Sequence, residues 1–226
     1  EATGQATSLE EVLDAVVRIT PMLSGVERCG ILLADGEPGV FRAQAAFGID
    51  AHADEHVGNL QKWIQQPSVS NSGEGIPESA EMVKGIFEQL GCQESRVYDV
   101  GTTEWGSQGN PVVYAKCDEG AEKTVVIYWM YDTMPVTQPD VWIAPPFEGR
   151  LVEMAPFKKV LIGRGATNSK GPQMAQWNAL MSIRAAVGKL PVNLIFVAEG
   201  DEERMSIGYR QFVRQHPELF KGATAM

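Results

Sequence analysis

Three short runs in this 226-residue chain concentrate side chains able to do chemistry. The first is Tyr128-Trp129-Met130-Tyr131-Asp132-Thr133-Met134-Pro135. The second is Gly163-Arg164-Gly165-Ala166-Thr167-Asn168-Ser169-Lys170-Gly171-Pro172, and the third is Ala198-Glu199-Gly200-Asp201-Glu202-Glu203. Each follows a stretch that reads as a strand, and open α/β sheets gather their working groups at the carboxyl ends of strands. Taken singly, each run has a plainer reading. Asp201-Glu202-Glu203 alone is a solvated acidic turn. Gly163-Arg164-Gly165 alone is a strand-end turn, and Lys170-Gly171 a helix start. The second run lacks the spacing of a P-loop, which sets phosphate cradling aside. His52 and His56 stand about one helical turn apart, but Ala53 holds the glutamate place of an H-E-x-x-H motif, so both read as surface histidines.

The elements that must carry these runs can be read from periodicity. From Ser8 to about Thr20, Leu9, Val12, Leu13, Val16, Val17 and Ile19 recur at helical spacing, with Ser8 as N-cap and Pro21 and Gly25 as stops. Strands at about 28–34 and 40–47 follow, joined by the turn residues Asp35-Gly36-Glu37-Pro38-Gly39. From about Asp50 helices and strands alternate. Helices are expected at 54–64, 78–90, 171–187 and 206–215, and strands at 96–100, 112–117, 124–129 and 192–198, with a hairpin at 151–162. The unbroken apolar run 124–129 predicts a strand buried on both faces. Trp63 and Trp177 read as core residues of their helices. Alternation of this kind predicts an α/β fold, a three-layer α/β sandwich with a mixed, largely parallel sheet.

Bulk properties narrow the function classes. The net charge of -10 disfavours a phosphate-backbone partner, so nucleic acid is set aside. The apolar fraction is 44%, and no apolar run reaches the roughly 18 residues of a spanning helix, so no membrane partner is expected. No basic-then-apolar leader opens the sequence. Cys29, Cys92 and Cys117 lack metal-knuckle spacing and read as reduced, in keeping with a cytoplasmic protein.

In combination the three runs resemble the zinc aminoacylase/carboxypeptidase family, of which carnosinase, acetylornithine deacetylase and succinyl-diaminopimelate desuccinylase are relatives. That family carries G-H-x-D-x-x-P after a buried strand, then G-R-G-x-x-D-x-K-G, then E-G-x-E-E after another strand. Trp142 and Pro145-Pro146-Phe147 add to the match, and Tyr131-Asp132 resembles its carnosinase-like branch. The resemblance covers residues 50–226, read as the N-terminal part of a catalytic domain. Residues 1–49 form a separate helix-hairpin segment that resembles the opening of a GAF-type sensor domain or is an unrelated extension. A later acidic ligand, a dimerisation lid and a last histidine ligand would lie beyond Met226.

The resemblance implies roles position by position. Asp132 orients a histidine ligand, Glu202 is the general base toward metal-bound water, and Glu203 is a metal ligand, zinc being the implied cofactor. Two positions depart from the pattern: Met130 stands where the family has histidine, and Asn168 where it has a bridging aspartate. A thioether is a weak zinc donor and an amide lacks the charge that holds two cations together. Met130 reads equally well as core packing. The resemblance therefore implies a metal-dependent amidohydrolase or peptidase acting on a small peptide or N-acyl amino acid, with a homodimer formed through the lid. The alternative is a non-catalytic relative whose degenerate metal site serves ligand binding or a partner subunit.

Overall fold

The computed structural model describes residues 8–24, 29–34, 41–47 and 49–225. Contacts divide the chain into two compact units, which meet at Gly58 and Asn59 inside a helix. In the first unit, helix α1 (Leu9–Ser24) precedes the antiparallel strands β1 (Cys29–Ala34) and β2 (Phe41–Phe47). Ser8 caps α1 as expected: Glu11 N–H donates to Ser8 Oγ at 3.2 Å, and Ser8 N–H returns a bond to Glu11 Oε2 at 3.3 Å. This reciprocal pair is a capping box, which satisfies amides that the first helical turn leaves open. The helix runs through Pro21, which was expected to stop it, and reaches Ser24. Proline removes one ladder bond but does not forbid the turn that follows it. Gly25 and the turn residues 35–39 lie outside the described residues.

The second unit is the α/β domain. Helices α2 (Ile49–Gln65), which begins in the first unit, and α3 (Ile76–Gln89) lead into β3 (Glu94–Tyr98), β4 (Val112–Cys117) and β5 (Thr124–Met130). The hairpin β6 (Arg150–Met154) and β7 (Phe157–Ile162) follows, then α4 (Lys170–Val187), β8 (Asn193–Glu199) and α5 (Ile207–Gln215). The main sheet has the order β3-β4-β8-β5. It is mixed, as expected, but not largely parallel: β5 pairs with β8 in parallel, whereas β3–β4 and β4–β8 are antiparallel. A crossover through β6, β7 and α4 makes the β5–β8 pair parallel, because that connection is long enough to return the chain to the same end of the sheet.

Side chains alternate across β8 and so build two cores. Leu194, Phe196 and Ala198 face Trp63, Phe87, Met174 and Trp177 from the helices α2, α3 and α4. Ile195 and Val197 face Phe212 of α5 together with Val112 and Tyr114. Helices on both faces of one sheet give the three layers. The first core is rich in aromatic pairs, with Phe87–Phe196 centroids at 4.5 Å and Trp63–Trp129 at 5.8 Å, each worth about 1 kcal/mol beyond the area it buries. Trp63 and Trp177 are core residues, as expected.

Two expectations are corrected here. The strand buried on both faces is β8, every residue of which is buried, and not β5, where burial is partial. The apolar run of β5 is genuine, but β5 is one of the two edge strands, while β8 lies between β4 and β5. Second, Cys92 and Cys117 are not reduced thiols: they form a disulfide across 25 residues of sequence. The spacing carries no motif, and the pairing arises from register. Gly91, with φ of 90°, turns the chain out of α3, and Gln93 N–H donates to Lys116 O at 3.0 Å, which sets Cys92 beside the end of β4. The reduced-cysteine argument for a cytoplasmic location falls with it. Among the described residues no helix is long and apolar enough to cross a membrane.

Candidate active site at the ends of β5 and β8

In the parallel β5–β8 pair, Met130 lies opposite Glu199, so the first and third runs leave the sheet side by side. What joins them is Asp132. Its side chain is fully buried, and its Oδ2 accepts the backbone N–H of Glu203 at 3.0 Å. Oδ1 is buried without a hydrogen-bond partner. Burial pushes the Asp132 carboxyl up to about 6, against the lowering pull of the Glu203 N–H.

The neighbouring carboxylates are held in different ways. Glu199 is fully buried; its Oε1 accepts Tyr128 Oη at 2.5 Å and Ser206 Oγ at 2.8 Å, while Oε2 has no partner. Burial pushes Glu199 up to about 7, against those two hydroxyls. Asp201 accepts Asn110 N–H at 2.7 Å and Gly208 N–H at 3.1 Å and pairs with Arg204 at 3.0 Å. Burial raises it also. Glu202 and Glu203 open a short 3-10 turn and remain partly exposed. Burial and then the charge of Glu202 raise Glu203, against Arg164. The next two residues after Arg204, Met205 and Ser206, take left-handed backbone at φ 65° and 56°. Such conformations cost about 1 kcal/mol or more each and persist where the surroundings hold them. Here Ser206 N–H donates to Asp201 O at 2.7 Å and Ser206 Oγ to Glu199.

The second run approaches from the other side. Gly165, at φ 83°, lies so close to Thr133 that an added Cβ would stand 2.9 Å from its methyl group. Lys170, at the start of α4, is fully buried; burial lowers its ammonium to about 7, against the charge of Asp132. Met130 is buried and lines a hollow of about 360 Å³ together with Tyr128, Ser169 and Gln173. Asn168 is exposed, its Oδ1 accepts Ser169 Oγ at 2.6 Å, and the peptide bond between the two is cis. The fold thus brings Asp132 and Glu203 into contact and sets Glu202 beside them. It sets Met130 beside Ser169, the neighbour of Asn168.

Several residues of this site carry no motif. Ser68 donates through Oγ to Tyr131 O at 2.6 Å, and Thr133 N–H donates to Ser68 O at 2.8 Å. Ser70 Oγ donates to Gly200 O at 3.2 Å, and Asn110 Nδ2 donates to Ser70 O and Gly200 O at 3.1 and 2.7 Å. These buried polar groups brace the ends of β5 and β8 from segments far away in sequence. The one hint is polarity inside the Pro67-Ser68-Val69-Ser70 break, which the sequence alone reads as a loop.

The donor set can be tested against zinc. Among the described residues no group of three or more His, Cys, Asp or Glu side chains is arranged to hold a metal ion. The side chain of His52 lies outside the described residues. Glu203 is a fitting donor, and the partnerless Oδ1 of Asp132 is an acceptor without the N–H that an imidazole would give it. Met130 and Asn168 do not fit, since a buried thioether and an amide already engaged by Ser169 cannot replace imidazole and carboxylate. The residues present do not fit a pair of zinc ions.

Comparison with known proteins agrees with this geometry. Residues 128–225, which span all three runs, match Peptidase family M20/M25/M40. The Beta-Ala-His dipeptidase of Mus musculus is 30% identical over 186 residues, covering 76% of this chain and 36% of that protein. The crystal structure of human carnosine dipeptidase 1 superposes with a TM-score of 0.68 at 29% identity, covering 78% of this chain and 38% of its own. The M20 family metallo-carboxypeptidase Sso-CP2 of Sulfolobus solfataricus gives 0.64 at 30% identity, over 76% of this chain and 37% of its own. The chain therefore spans little more than a third of the length of these relatives. With three runs in family order, a shared fold and a sequence match across the site, the α/β unit of this chain is similar to peptidase family M20/M25/M40.

Proposed function

We propose that the chain is the motif-bearing part of a metal-dependent peptidase or amidohydrolase acting on small peptides or N-acyl amino acids. The observation that carries the reading is the bond from Glu203 N–H to Asp132 Oδ2, which ties together the ends of β5 and β8, where the carboxylates of the first and third runs gather. Relatives named as dipeptidases of β-Ala-His and Cys-Gly support a dipeptide-sized substrate. In this reading Glu202, partly exposed at the head of its turn, takes a proton from the attacking water and returns it to the leaving amine. Asp132 holds the Glu203 backbone in place, and Glu203 would be the carboxylate that holds a cation. By the same resemblance the whole protein forms a homodimer through a lid outside this chain.

The test is hydrolysis of β-Ala-His, Cys-Gly and a panel of N-acetyl amino acids by the full-length protein, with and without chelator. Chelator-sensitive turnover of any of them supports the proposal. Binding of these compounds with no turnover would favour a non-catalytic relative, the reading that Met130 and Asn168 favour.

A further inference from the structure

The peptidase reading directs zinc to the strand ends, and the chain's own donors disagree with it at two of the positions concerned. Met130 is 6% exposed, and its side chain packs in the hollow with Tyr128 and Gln173. The Asn168 amide oxygen is engaged by the Ser169 hydroxyl. Asp132 retains a buried oxygen that accepts no hydrogen bond. The fully buried Lys170 is engaged by the Trp63 and Gln66 carbonyls and offers no donor to a cation.

We infer that this cleft is not a two-zinc site: Met130 and Asn168 put a buried thioether and a neutral amide at two positions where the resemblance implies imidazole and carboxylate, so among the implied ligand positions in this chain Glu203 alone keeps a charged donor, and at most one ion enters, weakly held. The inference rests on the peptidase reading only for which positions face the ion. It sets the departures in chemical order. Exchanging imidazole for thioether removes a nitrogen donor that Asp132 would orient, and exchanging carboxylate for amide removes the negative charge that lets two cations lie close together. Either loss weakens binding, and together they leave the second ion without a charged donor of its own. The paired substitutions Met130→His and Asn168→Asp would restore an imidazole nitrogen and a carboxylate at the two departed positions.

The experiment is zinc titration by calorimetry, with elemental analysis, on the full-length protein purified without chelator. Wild type, Met130→His, Asn168→Asp and the double variant are compared, with circular dichroism to verify the fold. Wild type is expected to bind no more than one equivalent of zinc, and the double variant to bind at least about 10-fold more tightly, the scale on which even the partners that orient a ligand act. Adding Glu203→Gln to the double variant should abolish the gain. Two equivalents in wild type, or a folded double variant no tighter than wild type, would overturn the inference. Should the double variant fail to fold, the wild-type stoichiometry and the single variants still decide. Peptide hydrolysis measured in parallel separates the two readings: an inactive protein with one-ion stoichiometry counts against the proposed function and leaves this inference standing.

Discussion

Lys170 Nζ donates to the backbone carbonyl of Trp63 at 2.9 Å, and to that of Gln66 at 2.8 Å, with no solvent exposure. These carbonyls lie in and just past the last turn of α2, where the helix itself leaves them open. One buried ammonium therefore ends α2 and anchors the loop between β7 and α4, and so it positions the second run against Thr133.

Replacing Lys170 by Met keeps the stem and removes both bonds. Two buried carbonyls lose a charged donor, and hydrogen bonds to charged groups are each worth roughly 1.5–3 kcal/mol. Urea unfolding is expected to show a loss of about 3 kcal/mol. An unchanged midpoint would mean that the ammonium is not what holds the end of α2.

The buried ionisable groups also predict an unusual pH profile. Asp132 is raised from 3.8 to about 6 and Glu199 from 4.5 to about 7, mainly by burial. A raised folded pKa contributes stability that is present below the unfolded value and lost as pH rises through the folded one, so these two groups destabilise the fold between about pH 4 and 7. Lys170 acts in the opposite sense, since burial lowers it from 10.5 to about 7. Its contribution is present above the unfolded value and lost as pH falls through about 7. Thermal melts of the metal-free chain should therefore give a lower midpoint near pH 7 than at pH 5, and Glu199→Gln should flatten the acid side. A midpoint rising steadily from pH 5 to 7 in wild type would contradict the burial of these carboxylates.

The Cys92–Cys117 disulfide closes a loop of 25 residues that contains β3 and most of β4. A crosslink of that span stabilises by about 3 kcal/mol, chiefly through the unfolded chain. Urea titrations with and without reductant should differ by that order, and Cys92→Ala with Cys117→Ala should match the reduced wild type. Identical midpoints would show that the thiols are not bridged in solution.

Which features were legible beforehand follows from where their information lies. The layered fold is written in local periodicity, and all the helices and strands expected for residues 50–226 occur within a few residues of their places. The direction of pairing is not local. Nothing inside Val112–Cys117 states that it runs antiparallel to β8, which is why a largely parallel sheet was the wrong reading. The partial burial of β5 and the disulfide were missed for the same reason, since both depend on which strand lies beside which. At the site, the runs around Asp132 and Glu203 were visible because each is continuous in sequence. The Ser68, Ser70 and Asn110 braces are single polar residues in loops, meaningful only once the chain has folded. Lys170 was read as a helix start, which it is, but its burial against α2 has no signature in sequence.

The last prediction separates three adjacent acids by what each is bound to. Asp201 is fully buried and accepts two backbone amides and a guanidinium, so Asp201→Ala leaves buried donors unpaired and should cost about 3 kcal/mol of stability. Glu203 lies between Glu202, Arg164 and the Met134 backbone, with its backbone fixed by Asp132. Glu203→Gln should therefore weaken zinc binding while the fold persists. Glu202 is the partly exposed member and is assigned the proton. In an active full-length protein Glu202→Gln should lower kcat by roughly 100-fold or more, the usual scale for a general base, with KM changed little. Melting temperature, zinc affinity and steady-state kinetics on the three variants give three separate readings. A Glu202→Gln enzyme with undiminished kcat would remove the proton-transfer assignment, and a stable Asp201→Ala protein would show that the turn is held by something other than its buried carboxylate.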